Sequence, residues 1–222
     1  MLERGIRDHS FQIDTDKVKK ASSYLKKTLE CIRNCQTKDQ LRGYEGEAAS
    51  VYFGVFDQLI LQQKRDFAFH GRNKRPPLDP VNALLSFVYT LLTHTITSAW
   101  KRWDWIPMLG TCIWTGLEEP RCLWNLIEEL RAVLADRFVL SLINKKMFPR
   151  KIFPKKKMET VLMDDEARRK VLTEWQNKKK EVITHPFLKE KVEWGMVPYV
   201  QAMLLARYLR GDLDGYPVFL WK

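Results

Sequence analysis

The sequence is poor in long apolar runs, in cysteine, in histidine and in acid. No run reaches the roughly 18 residues that a membrane-spanning helix needs. The most apolar stretch, residues 81–92, is shorter and opens like a soluble helix. Residues 1–10 are polar and charged, which excludes a secretory leader there. The four cysteines are Cys31, Cys35, Cys112 and Cys122. That is too few for a disulfide scaffold, so a reducing, cytoplasmic setting is expected. Cys31 and Cys35 share one predicted helix and read as two ordinary thiols rather than a metal pair. Acidic residues number 27 against 38 Lys and Arg, a formal charge of +11. That imbalance favours a polyanionic partner, nucleic acid first and an anionic membrane surface second. No repeated unit is present, which excludes a solenoid.

What is there suffices for a folded protein. A chain of 222 residues, 45% hydrophobic, can bury one real core or two small ones. Residues 1–13 read as an entry segment. Asp14-Thr15-Asp16 can cap a helix whose buried stripe is Val18, Ala21, Leu25, Leu29 and Ile32. Residues 34–39 read as a turn, and 41–63 as a helix. Asp79 and Pro80 form a strong helix start, as N-cap and first helical residue. The helix over 81–99 is apolar enough to be central. Two helices are predicted over 126–135 and 137–146, a short strand within 158–163, and a charged helix from Asp164 to about residue 181. Residues 184–193 read as a loop. A last amphipathic helix over 197–210 points Val200, Met203, Leu204 and Tyr208 inward. The expected fold is all-α, a single helical domain over 1–222.

One stretch carries more than packing. Arg42-Gly43-Tyr44-Glu45-Gly46-Glu47-Ala48-Ala49 sets an acid between two glycines at the expected mouth of an apolar helix. Tyr44, Ala48, Val51, Tyr52, Val55, Phe56 and Leu59 recur at helical spacing and bury one face. Glu45 would sit in the first turn, where the helix dipole favours a carboxylate. The small neighbours would let a ligand approach the backbone. The alternative is an ordinary N-terminal acid on a core helix.

Three motifs, in order, resemble one family. The first is Gly43-Tyr44-Glu45-Gly46-Glu47-Ala48-Ala49 with Tyr52-Phe53. The second runs from Arg75-Pro76-Pro77-Leu78-Asp79-Pro80 through Val81-Asn82-Ala83-Leu84-Leu85-Ser86-Phe87. The third is Glu128-Glu129-Leu130-Arg131, continuing through Asp136-Arg137 to Leu142-Ile143-Asn144. Together they resemble the CRISPR-associated endonuclease and integrase of the adaptation complex, the Cas-one family, in its type I-C flavour. The resemblance implies the helical catalytic domain of that integrase, with the family's N-terminal β-domain absent, so that Met1 would start inside the architecture. It implies a metal-dependent endonuclease that inserts spacers into a CRISPR array, with Mg²⁺ or Mn²⁺ as cofactor. DNA and a Cas-two protein are the implied partners. The family homodimerises through the β-domain, so normal assembly is in doubt here, and no membrane is involved. Such chemistry is phosphoryl transfer, in which a metal stabilises charge on the phosphoryl oxygens.

The family's metal ligands are a Glu, a His and a further acid. Glu45 matches the first and Glu128 the third, one turn after a frequent Asp position that here is Asn125. The His should lie near Ile113, and none is present. The surrounding stretch, 100–125, holds five of the eight tryptophans and two of the four cysteines. Back-translation offers a cause. Trp100 through Pro107, read one base earlier, forces Glu, then Gly-Leu-Asp, whatever the wobble bases. Thr111-Cys112-Ile113 permits Leu-His, Trp114-Thr115 forces Asp, and losing one base at Trp124-Asn125 restores an Asp and the frame. The stretch therefore reads as out of register, with compensating shifts at its two ends. A divergent insert is the alternative, and the forced Gly-Leu-Asp argues against it. Sequencing the gene decides.

The basic clusters depend less on those residues. Arg65, Arg72, Lys74 and Arg75 form one group, interleaved with Phe67 and Phe69. Lys145, Lys146, Arg150 and Lys151 form a second, and Lys155, Lys156 and Lys157 a third. Such groups contact phosphates without reading bases. Arg131, beside Glu128, joins them as a DNA contact. Lys178-Lys179-Lys180 reads as a solvated face, Phe67 and Phe69 as core, and His94 as a hydrogen-bonded core residue. His70, His94 and His185 match no family ligand. Two functions follow: a DNA endonuclease and integrase, truncated and impaired in this copy, or a non-catalytic DNA-binding or assembly remnant.

Overall fold

The computed structural model describes residues 1–73, 76–101, 121–148, 161 and 163–221. The central part of the stretch suspected to be out of register, including Ile113, lies outside them, as do Lys74, Arg75, Arg150, Lys151 and Lys155–Lys157. The described elements are α1 (Leu2–His9), α2 (Thr15–Arg33), α3 (Lys38–Gly54), α4 (Pro80–Lys101), α5 (Arg121–Leu130), α6 (Arg137–Asn144), α7 (Asp165–Lys180), β1 (Val182–Thr184), β2 (Lys191–Glu193) and α8 (Val197–Leu209). A 3₁₀ turn over Phe56–Leu59 follows α3, and a π-helical turn over Arg131–Asp136 joins α5 to α6.

The protein is mostly helical, and the all-α expectation needs one correction. The segment expected as a loop over 184–193 contains an antiparallel hairpin, Val182 opposite Glu193 and Thr184 opposite Lys191. The turn closes because the His185 N–H donates to the Glu190 carbonyl at 2.8 Å and Lys189 takes a left-handed φ of 60°. Its sequence has neither the Asn-Gly nor the Asp-Gly signal that announces a tight hairpin.

The chain divides into two compact units, 1–86 with 139–164, and 87–138 with 165–222. In the first, the entry segment is itself a helix with Leu2 and Gly5 buried. A Cβ on Gly5 would come within 2.7 Å of Leu59 Cδ2, so a side chain there would force Leu59 to shift. Asp14 caps α2 as expected, accepting from the Lys17 N–H at 3.0 Å. Only part of the predicted stripe is covered: Val18 and Ala21 are buried, Leu25 and Ile32 are half-buried and Leu29 is 58% exposed, while Thr28, outside the stripe, is buried. The core centres on Val55, Phe56, Leu59, Ile60, Phe67 and Phe69. Phe56 and Phe69 meet at 5.2 Å between ring centroids.

Two asparagines of the recognised motifs fold this unit. Asn82 takes the Asp79-capped first turn of α4 and bonds the chain before it: its Oδ1 accepts from the Asn73 N–H at 3.0 Å, and its Nδ2 donates to the Gly71 carbonyl at 2.9 Å. Asn144, at the end of α6, accepts from the Leu61 and Gln62 N–H groups at 2.8 and 3.3 Å and donates to the Leu59 carbonyl at 3.1 Å. Asn144→Ala would strip three backbone groups of their partners. It is expected to destabilise the fold by about 2 kcal/mol, read as a lower urea midpoint.

In the second unit, Leu126, Ile127, Leu130, Leu134, Trp175, Val197, Ala202 and Leu204 are buried. Phe138 meets Trp175 edge-on at 5.2 Å. The inward face of α8 includes the expected Leu204, with Val200 and Met203 half-buried, and otherwise differs from the expected one. Gln201, Ala202 and Ala206 are buried, while Tyr208 is 41% exposed. The apolar period of α8 is blurred by a buried polar residue, so the moment of its apolar side chains misplaces the face. His94 is exposed rather than core, and His185 is the fully buried histidine.

Candidate functional site

Glu45 lies on α3, but not where expected. The helix begins at Lys38, capped by Thr37, whose Oγ1 accepts from the Gln40 N–H at 3.2 Å. Glu45 is therefore in the helix interior, and the N-terminal dipole does not act on it. It is exposed, and α3 buries no residue along its length. Its apolar period is finished by Val55, Phe56 and Leu59, which lie beyond the helix end.

The glycines flanking Glu45 are the informative feature. Each glycine inside a helix costs about 0.5–1 kcal/mol relative to alanine. Among the described residues, nothing outside the helix's own nearby backbone lies within 4 Å of a Cβ built on Gly43 or Gly46. Internal packing therefore does not account for them, and they leave bare backbone open beside an exposed carboxylate. Glu47, on the same helix, is engaged differently. Its carboxylate accepts a hydrogen bond from the Tyr24 hydroxyl, which raises that phenol's pKa, with desolvation adding to the effect.

Glu128 lies in the other unit, exposed on α5. Arg131 Nη1 sits 2.8 Å from its Oε1. The same guanidinium lies 4.8 Å over the Tyr89 ring, and the Tyr89 hydroxyl donates to the buried Asp136 at 2.6 Å. The π turn starts at Arg131 and ends at Asp136, so these charged residues bracket an extra residue in the helix, a feature frequent at functional sites. Asn125 is exposed on α5. Among the described residues, no group of three or more His, Cys, Asp or Glu side chains is placed to hold a metal.

The expected DNA contacts divide. Lys64, Arg65, Lys145 and Lys146 are exposed. Arg72 turns inward: it donates to Asn82 Oδ1 at 2.7 Å, to Ser86 Oγ at 3.2 Å and to the Asn73 carbonyl. Phe67 and Phe69 are core, as expected.

Sequence reasoning missed a polar centre beside Glu128. Glu129 accepts from Gln201 Nε2 at 2.7 Å, from the Tyr216 hydroxyl at 2.7 Å and from the Phe219 N–H. Gln201 also meets buried His185 Nε2 at 3.1 Å. Burial lowers the His185 pKa; burial and the neighbouring Glu129 raise that of Tyr216. The one available signal was a glutamine amid the apolar residues of α8.

Comparison with known proteins agrees in one direction. A family model described as CRISPR associated protein Cas1 matches residues 1–177. The CRISPR-associated endonuclease Cas1 2 of Rhodospirillum rubrum is 46% identical over 100% of this chain and 66% of its own length. The CRISPR-associated endonuclease Cas1 of Leptospira interrogans is 36% identical over 100% of this chain and 87% of its own. The chain thus spans just under two thirds of the first of these relatives. Among solved structures, a casposase bound to integration product superposes with a TM-score of 0.73 at 19% identity, over 91% of this chain and 59% of that one. A Cas6-RT-Cas1–Cas2 complex gives 0.76 at 22% identity, over 100% and 24%. These two likenesses bear on the fold. No described helix is long and apolar enough to cross a membrane.

Proposed function

The chain belongs to the Cas1 family of CRISPR-associated proteins, and from that premise we propose that it is a DNA-directed endonuclease and integrase whose own cleavage activity is weak. The observation that carries the reading is Glu45, exposed between two helix glycines that no contact among the described residues explains. A bare backbone beside an acid suits close approach of a nucleic-acid strand. Glu128 is the second acid of the proposed chemistry. Family relatives are named endonucleases, and the complexes and DNA-bound neighbour of similar fold support DNA and a Cas2 protein as partners. Homodimerisation is part of the same proposal.

The donor set does not fit a three-ligand Mg²⁺ or Mn²⁺ site. Ile113 is a hydrocarbon where an imidazole is needed, and Asn125 is a neutral amide beside Glu128. Arg131 already neutralises the Glu128 carboxylate. Both metals prefer several anionic oxygens. The second reading, a DNA-binding or assembly protein without catalysis, rests on the same two substitutions.

Purified protein incubated with duplex DNA and Mn²⁺ is expected to bind the DNA yet release little cleaved product. Robust cleavage that Glu45→Ala abolishes would overturn the proposed weakness. Absence of DNA binding at low salt would overturn the DNA-directed reading itself.

A further inference from the structure

The solvent face of α2 carries a row of cations, most of which have no ion pair among the described residues. On a helix of 100° per residue, Lys19, Lys20, Ser23, Lys26, Lys27 and Arg33 fall on the side opposite the buried Val18, Ala21 and Thr28. Asp16 and Glu30 are the acids of that side. Lys26 is paired with Glu3 at 2.5 Å. Among the described residues, Lys19, Lys20, Lys27 and Arg33 have no ion pair. The contrast with α7 is direct. There Lys178 is bound to Glu181 at 2.5 Å and lies 5.6 Å over the Trp194 ring, so part of that basic run is spent internally.

The row also has shape. Asp16, Lys19, Lys20, Ser23, Tyr24 and Lys27 line one shallow depression. Tyr24, at its edge, is held by its hydrogen bond to Glu47 on α3. Ser23 adds a hydroxyl donor among the ammonium groups. Lys19, Lys26 and Arg33 repeat every seven residues, as do Lys20 and Lys27, a spacing of about 10.5 Å. The helix has 19 residues, hence a length of about 28 Å, which matches about eight base pairs of duplex at 3.4 Å each.

We infer that this face of α2 is a docking surface for the phosphate backbone of duplex DNA, in the same unit as Glu45. The inference rests on the DNA-directed reading above and adds a surface to it. A lipid surface fits less well. An interfacial helix sinks an apolar face into the bilayer, whereas here Val18 and Ala21 of the apolar side of α2 are already buried in the protein. On α2, Leu29 is 58% exposed while Tyr24, Leu25 and Ile32 are half-buried, too little apolar surface to seat the helix in a bilayer. Backbone contacts of this kind carry no base preference.

The test uses the full chain and a fluorescent duplex of about 20 base pairs, with anisotropy measured across a salt series. The triple variant Lys19→Gln, Lys20→Gln, Lys27→Gln is compared with the unaltered chain and with Lys178→Gln, Lys179→Gln, Lys180→Gln. The α2 triple is expected to flatten the slope of log affinity against log salt by about two to three units and to weaken binding at least about tenfold near 0.1 M salt. The α7 triple is expected to leave the slope in place, and an unchanged melting temperature shows that the α2 triple is folded. An α2 triple with unaltered slope and affinity overturns the inference while leaving the DNA-directed reading standing. An unaltered chain that fails to bind DNA overturns both. An α2 triple that loses binding to vesicles of phosphatidylserine while keeping its DNA affinity overturns the inference in favour of a membrane.

Discussion

Rewriting codons 100–125 in the alternative frame is expected to raise Mn²⁺-dependent DNA cleavage by more than about a hundredfold. The magnitude follows from what is missing. Loss of a group that merely orients a metal ligand costs about 10–100-fold in affinity or activity. Here a neutral hydrocarbon, Ile113, and a neutral amide, Asn125, stand where an imidazole and a carboxylate are expected. The alternative frame permits Leu-His across Thr111-Cys112-Ile113 and restores Asp at Asn125. It also removes the three clustered tryptophans Trp100, Trp103 and Trp105. Two controls separate donor chemistry from general repair. The double substitution Ile113→His, Asn125→Asp in the chain as it stands should recover only part of the gain, since the segment around it keeps its altered sequence. In the rewritten chain, Glu45→Ala and Glu128→Ala should each return cleavage to background with DNA affinity largely retained. A rewritten chain no more active than the original would mean that the two missing donors are not what limits this protein.

How far the sequence could be read depends on which residues carry the signal. Helix starts capped by an aspartate, Asp14 and Asp79, were legible. Asp14 and Asp79 both bond the first turn as their positions imply, because an N-cap is a local contract between residues two or three apart. Glu45 was located on the right helix and misplaced within it. Thr37 caps α3 several residues before the apolar period begins at Tyr44, and glycines that look like a helix entry are in its interior. The motif asparagines could be listed but not explained. Asn82 reaches back to Gly71 and Asn144 reaches back 83 residues to Leu61, and no period or local pattern encodes a partner so far away. Arg72 shows the same gap. In sequence it is one of a cluster of cations; in the fold its guanidinium is bound to Asn82 and Ser86. The Glu129 centre was invisible for a further reason. Its members, Glu129, His185, Gln201, Tyr216 and Phe219, come from four separate stretches of chain and include one glutamine in an otherwise apolar helix face.

That centre makes Gln201→Leu the substitution with the largest expected effect on stability. Gln201 is fully buried. The His185 Nδ1 accepts from the Phe187 and Leu188 N–H groups at 3.3 and 3.2 Å, so its Nε2 carries the proton and donates to Gln201 Oε1. That fixes the amide orientation, and Nε2 of Gln201 is left to donate to Glu129, to the Tyr216 oxygen at 2.8 Å and to the Pro217 carbonyl at 3.3 Å. A leucine would orphan the buried imidazole N–H and remove a donor from the Glu129 carboxylate. The two losses together should cost about 3–4 kcal/mol, read as a lower urea midpoint with an unchanged slope. Tyr216→Phe removes one charge-assisted bond and should cost about 1.5–3 kcal/mol. The double variant should fall short of the sum, because both side chains serve Glu129. The same geometry sets a pH dependence. His185 is held neutral, chiefly by burial, with its pKa below the ordinary 6.5. Its protonated form would turn an Nδ1–H toward two N–H donors. The unfolded chain therefore binds the proton first as pH falls. The contribution of His185 to stability is full above about 6.5 and shrinks below it. A urea midpoint that stays flat from about pH 7 down to pH 5 would refute this account. A His185→Leu variant should lose that part of the slope whatever its absolute stability. Glu129 neighbours Glu128 on α5, and Tyr216 and Phe219 belong to the segment after α8. Gln201→Leu is therefore also expected to speed amide hydrogen exchange in α5 and in residues 216–219 together, because one carboxylate holds both.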